Sequence, residues 1–207
     1  MIELHLDTEE LEKALKLLGG SEYALKVAVR KAIPSVAEAV RKQVLTTLDK
    51  DVALAPKSGV LIKRAVKAVQ NLGEGARFKV ASKHLLLGDY DVTPLSITAK
   101  KGVRVKDRKP FHYHLRKGGE RFSSHSLAIT SQRGNRGSLP FIAATREGHL
   151  RVMYRSPSDD HDTPLLAYAP SVQYHAATPE MEQEALEVST KAFREALLRV
   201  IERGWDK

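Results

Sequence analysis

FHYHLR, residues 111–116, places Phe111, Tyr113 and Leu115 on one side of an extended chain and His112, His114 and Arg116 on the other. A period of two marks a strand with one buried face and one wet face. The same alternation runs through RFKV (77–80), LSIT (95–98), VRVK (103–106) and HLRVMYR (149–155). In the last of these, Leu150, Val152 and Tyr154 point inward, and His149, Arg151 and Arg155 point outward. The middle of the chain is therefore expected to form a mainly antiparallel sheet whose exposed face is basic.

On either side of this region the period becomes helical. Asp7 is placed to cap a short helix through Leu18, with Glu9 and Glu10 in its first turn and Gly19-Gly20 ending it. Ser21 opens a longer helix, in which Leu25, Val29, Ala32, Ile33, Val36, Val40, Val44 and Leu48 recur at spacings of three and four. Pro34 is expected to kink or divide it. A third helical stretch, 60–70, carries Lys63, Arg64 and Lys67 on its polar side. Near the other end Thr178 is a cap with Pro179 behind it. There Glu180, Glu182 and Glu184 lead and Lys191, Arg194, Arg199 and Arg203 follow, as the helix dipole favours. Helices, then strands, then a helix make an α+β plan rather than an alternating βαβ one. With 207 residues, one domain is expected: 1–72 mainly helical, 73–176 mainly strands and 178–204 a C-terminal helix.

The composition, 42% hydrophobic and 29% charged, is that of a folded globular chain. No run approaches the roughly 18 apolar residues of a membrane helix, and MIELHLDTEELEK has acids where a signal peptide needs a basic start. Synthesis in the cytoplasm is expected. The absence of cysteine removes disulfides, thiolate-ligated metals and thiol nucleophiles. Between residues 100 and 155, fourteen Lys or Arg face three acids, a local charge of +11 within a total of +9. A basic middle on an otherwise near-neutral chain points to a polyanion or an acidic protein surface as neighbour. Residues 123–138, SSHSLAITSQRGNRGS, are expected to form a long mobile loop, because they offer little to anchor it.

Motifs for catalysis are lacking. Gly19-Gly20 and KGGER have neither the spacing nor the Lys-Ser/Thr pair of a phosphate-cradling loop, and no nucleophile elbow or zinc-protease helix occurs. His112 and His114, two apart on a strand, could share a metal with His125 or with the Asp159-Asp160-His161-Asp162 cluster. Arg116 and Lys117 beside them repel a cation, which favours a solvated basic face. The acidic cluster, flanked by Ser156, Pro157, Ser158 and Pro164, has the composition of an exposed connection. No enzyme activity and no cofactor are expected. Nucleic-acid binding is the rival reading, since seven or more basic residues interleave with Phe111 and Tyr113 in 99–121. The alternation turns those aromatics inward, so phosphate attraction without base stacking is what remains of it.

Three further motifs occur in order before the final helix: KKGVRVKDRK (100–109), LPFIAATREGHLRVMYR (139–155) and TPLLAYAPSV (163–172). Together they resemble the minor tail protein Z family of long-tailed bacteriophages and prophages. The matching residues are Phe141, Ile142, Ala143, Gly148, His149, Val152, Tyr154, Arg155, Pro164, Leu165, Pro170, Ser171 and Val172. The resemblance spans roughly residues 60–176 and departs from the pattern at Ala169, where Gly is usual, and in SPSDDHD, which lengthens the link before Pro164. That departure puts the acidic cluster in an inserted loop.

The resemblance implies a non-catalytic structural protein at the head-proximal end of the virion tail, needed for tail completion and head–tail joining. It would be oligomeric in the assembled tail, with tail or neck proteins of the tube and terminator class as partners and possible non-specific contact with genomic DNA. The polyanion or partner face expected on this reading comprises Lys100, Lys101, Arg104, Lys106, Arg108, Lys109, Arg116, Lys117 and Arg121, with Leu165 to Val172 as a packing or docking element. The alternative is a cytosolic nucleic-acid-binding protein using the same basic sheet face.

Overall fold

A computed structural model describes residues 8–72, 75–98, 103, 107–125, 139–155 and 164–203. Among them are five α-helices and ten short strands, an α+β fold with a C-terminal helix. The strands form no single sheet. They make two antiparallel pairs and two antiparallel three-stranded sheets. The chain divides into two compact units, here called the helical unit (Met1–Asp49, Ile62–Ser82 and Val172–Lys207) and the sheet unit (Lys50–Leu61 and Lys83–Ser171).

In the helical unit, α1 (Thr8–Leu17) ends where glycine allows it to. Gly19 and Gly20 have φ of 66° and 78°, and their amides donate back to Lys16 O at 3.1 Å and Leu15 O at 2.9 Å. That pair of bonds satisfies carbonyls the helix would otherwise leave orphaned, in a conformation that side chains with a Cβ resist. α2 (Glu22–Asp51) then starts on Ser21, whose hydroxyl accepts the Ala24 amide at 3.3 Å. It is a single helix of 30 residues running through Pro34, which does not divide it. The proposed cap Asp7 lies outside the described residues.

The stripe that α2 buries shares Ala32, Val36, Val40, Val44 and Leu48 with the expected one and differs from it before them. Ala24, Ala28, Ala32, Val36, Val40, Val44 and Leu48 are buried, each four residues after the last, while Leu25 and Val29 are only partly covered. A step of four advances about 40° beyond a full turn, so this line winds around the helix rather than running straight. α5 (Pro179–Arg203) buries Met181, Ala185, Ser189, Phe193, Ala196 and Leu197 in a similar rhythm. Phe193, Ala196 and Leu197 pack with Ala28, Ala32, Val36 and Ala14 of α1. Farther along, Glu184 Oε2 accepts from Gln43 Nε2 at 3.1 Å and Thr47 Oγ1 at 2.8 Å. Late positions of α5 therefore meet early positions of α2, and the two helices are antiparallel. Thr178 caps α5 as its sequence predicts, its hydroxyl accepting the Met181 amide at 3.3 Å.

α3 (Val60–Ala65) is shorter than the expected 60–70. Lys67 N–H donates to Lys79 O and Ala81 N–H to Ala65 O, both at 2.9 Å, and Val66 bridges Val80. Pairing with residues 79–81 has claimed the backbone that a helix would have used. Beyond it β1 (Gln70–Asn71) pairs with β2 (Ala76–Arg77), so RFKV contributes one strand residue and one bridge.

The sheet unit starts with β3 (His84–Leu86) and β4 (Asp91–Thr93). Next come β5 (His112–His114) and β6 (Arg121–Ser123), which with β4 form the sheet β4-β5-β6. β7 (Phe141–Ala144), β8 (Leu150–Tyr154) and β9 (Leu165–Leu166) form a second sheet, and β10 (Tyr168–Ser171) pairs with β3. Ala167 joins the last two arrangements: its N–H donates to Val152 O at 3.0 Å and its C=O accepts Leu87 N–H at 2.8 Å. LSIT is not a strand; instead Thr98 borders β7, its N–H donating to Ile142 O at 3.0 Å and its hydroxyl accepting Ile142 N–H at 2.8 Å. Of VRVK, only Val103 is described. The core holds Phe111, Tyr113, Tyr90, Ile142, Val152 and Phe141, each at most 3% exposed. The short α4 (Val172–Ala176) follows β10 and belongs to the helical unit.

Candidate polyanion and partner face

The sheet β4-β5-β6 sorts its side chains as the period of two requires. Val92, Tyr113 and Phe122 are in register on one side, with Tyr113 and Phe122 stacked at 5.5 Å and Phe111 tilted against Tyr113 at 6.5 Å. On the other side Asp91, His114 and Arg121 form one cross-strand row and Thr93, His112 and Ser123 the next. Burial raises the Tyr113 phenol to about 12, and burial followed by the neighbouring Asp89 charge raises that of Tyr90. Tyr90 donates to Pro170 O at 3.0 Å. Both rings serve the core.

The two histidines are less outward than expected. His112 and His114 are half-buried, and His114 Nδ1 lies 3.3 Å from Gly119 O. Among the described residues no three of His, Asp and Glu assemble into a metal-binding group, and the acids at 159–162 lie outside those residues.

The hairpin between β5 and β6 brings together Arg116, Lys117 and Arg121, all exposed. Its turn closes through Gly119 N–H to Arg116 O at 3.1 Å, and Gly118 has φ of 68° at the position where a positive φ is needed. A Cβ on Gly119 would stand 3.2 Å from Arg116 O, so this glycine keeps the turn tight. The base of the hairpin is pinned to the segment after α2. Ala53 N–H donates to Leu115 O at 3.2 Å, Lys117 N–H to Asp51 O at 2.8 Å, and Val52 bridges Arg116.

The other basic residues behave differently. Lys109 is exposed, whereas Arg108 is half-buried and donates to Val103 O through Nε at 3.0 Å and Nη2 at 2.8 Å. Its guanidinium carbon sits 5.5 Å from the centre of the Phe141 ring, and that of Arg155 sits 5.8 Å from it. Two cations on one ring make Arg108 and Arg155 part of the packing around β7. Lys100, Lys101, Arg104 and Lys106 lie outside the described residues, as do residues 126–138 of the expected loop. The start of that loop is ordered: Ser123 ends β6, and Ser124, 1% exposed, accepts Phe111 N–H at 3.1 Å and donates its own N–H to Phe111 O at 2.9 Å.

The described motif residues from Phe141 to Ser171 lie on or beside β7, β8, β9 and β10. Phe141 and Ile142 are buried on β7, the loop closes with Thr145 N–H to His149 O at 2.8 Å, and Gly148 carries φ of 81° in it. This is a three-residue hairpin loop with glycine at its left-handed position. His149 is exposed, and its contact with Glu147 at 3.9 Å is a surface pair of little energetic weight. Tyr154 pairs with Leu165, so β9 lies directly on β8. Pro164, Leu165 and Tyr168 are exposed, whereas Ala167, Ala169 and Ser171 are buried. Val172, fully buried, opens α4. β4, with Asp91 and Thr93 beside the histidines, escaped the reading of the sequence, although Tyr90 to Thr93 do alternate.

No protein-family profile, curated protein or solved structure matches this chain.

Proposed function

We propose that this protein is a structural component of a bacteriophage tail, acting at its head-proximal end to complete the tail and join it to the head. One observation carries the reading. Of the residues that resemble the minor tail protein Z family, those in 141–155 and Leu165 lie on one antiparallel sheet, β7, its glycine turn, β8 and β9, which Ala167 links to β10. Within it the apolar motif positions Phe141, Ile142 and Val152 are core, and Gly148 holds a conformation that favours glycine. The role needs no catalytic residue; it needs a rigid body with a polyanion or partner face, for which Lys100, Lys101, Arg104, Lys106, Lys109, Arg116, Lys117 and Arg121 are proposed. Leu165 and Tyr168, exposed on a segment that also carries the buried Ala167, Ala169 and Ser171, are proposed as the docking edge.

Reversing the charge of Lys100, Lys101, Arg104, Lys106 and Lys109 together is the test. The expected outcome is a folded protein, with electron micrographs of the mutant lysate showing separate filled heads and tails. A normal yield of joined particles would overturn the assignment of this face.

A further inference from the structure

We propose that the tip of the β5–β6 hairpin, Arg116, Lys117 and Arg121, grips the phosphate backbone of double-stranded DNA without reading its sequence. The inference deepens the polyanion-face reading above and rests on it. By sequence, the sheet unit holds 17 Lys or Arg against 9 acids, a net +8, while the helical unit holds 17 against 16, a net +1. A polyanion is thus drawn to the sheet unit. Within that unit the hairpin tip combines exposed cations with a fixed backbone, because its base is bonded to residues 51–53 and its turn is set by two glycines. Gly118 and Gly119 also put no side chain between the backbone and a ligand, so a phosphate can approach closely. Glu120 in the turn, Asp91, in register with His114 on the facing strand, and Asp51, whose backbone oxygen accepts the Lys117 amide, bring carboxylates to this hairpin and limit its charge.

Two features select duplex DNA over other anionic partners. Residues 116–121 expose no apolar side chain, whereas protein interfaces are built around buried aromatic or aliphatic anchors. A single strand is held by stacking its bases on aromatic rings, and the rings of this sheet, Phe111, Tyr113 and Phe122, lie on the opposite face, with Phe111 and Tyr113 at most 2% exposed. What is left is contact with phosphates spaced along a rigid duplex.

The experiment is a titration of the full-length protein against a mixed-sequence duplex at several salt concentrations, repeated with a single strand and with polyglutamate. Each phosphate contact adds roughly 0.9 to the slope of log affinity against log salt. The triple variant R116Q/K117Q/R121Q is expected to lose roughly 2 to 3 from that slope. K63Q/R64Q/K67Q, an equal charge loss in and beside α3, is expected to leave it unchanged. The charge-conserving R116K/R121K is expected to keep it, which separates lost charge from lost fold. Equal slopes for the triple variant and the wild type would overturn the proposal. So would tighter binding to the single strand, or binding to polyglutamate without binding to duplex. None of these results bears on head–tail joining, which is read from particles and not from this titration.

Discussion

The helical unit and the sheet unit reach a packed interior by opposite means. The first buries small and aliphatic side chains along its long helices, Ala24, Ala28, Ala32, Val36 and Val40 on α2 and Ala185, Ser189 and Ala196 on α5, with Phe193 beside them. The second uses strands of two to five residues, too short to hold themselves, and fills the space between them with Phe111, Tyr113, Tyr90, Phe141 and Ile142. A fully buried alanine site tolerates little added volume. Large rings tolerate no loss of it.

The comparison can be broken most sharply from the sheet side. Phe111→Ala removes a ring 1% exposed and should cost roughly 3–5 kcal/mol in a denaturant titration. A loss under about 1 kcal/mol would mean that the rings do not carry the sheet unit.

Alkaline pH attacks the same unit by another route. Tyr90 and Tyr113 both lie in it, and both titrate above the ordinary tyrosine value because burial disfavours the phenolate. Between pH 10 and about 12 the unfolded chain has lost the Tyr113 proton and the folded one still binds it. Stability contributed by that difference is intact below pH 10 and falls as pH rises, by about 1.4 kcal/mol per unit for one group. Melting points across this range should drop for the wild type and drop less for Tyr113→Phe. Parallel curves would contradict the burial of that hydroxyl.

On the helical side the damaging change is the opposite one, an enlargement. Ala28→Leu forces three carbons into a site with no exposed surface and should cost about 1–3 kcal/mol. A neutral or stabilising result would show space between α2 and its neighbours. The smallest effect belongs to the cap of α5: Thr178→Ala should cost about 1 kcal/mol, measured by the same titration.

What the sequence disclosed follows the range of the interaction. Caps and glycine turns are local, so Ser21, Gly19-Gly20 and Thr178-Pro179 announce the helix ends that the structure has. The alternation of Phe111 and Tyr113 with His112 and His114 is also local, and it separates the faces of β5. On α2 the expected stripe holds at Ala32, Val36, Val40, Val44 and Leu48 and shifts by a residue before them, because Leu25 and Val29 outweigh Ala24 and Ala28 in hydrophobicity while the fully buried sites there hold alanine. Distant pairing was hidden altogether. Nothing in 60–70 announces that 65–67 will bond to 79–81, and nothing in KGGER announces that residues 51–53 will pin the hairpin. For the candidate site, the basic residues were evident, but which are exposed and which pack was not. Arg116, Lys117 and Arg121 project, whereas Arg108 is turned onto Val103 and Phe141.

The role in assembly is tested most directly by electron microscopy of a lysate from a strain in which this gene alone is silenced, before and after the purified protein is added. The account predicts filled heads and finished-looking tails lying apart, with joined, infectious particles appearing once the protein is supplied. Joined and infectious particles in the untreated lysate would contradict it.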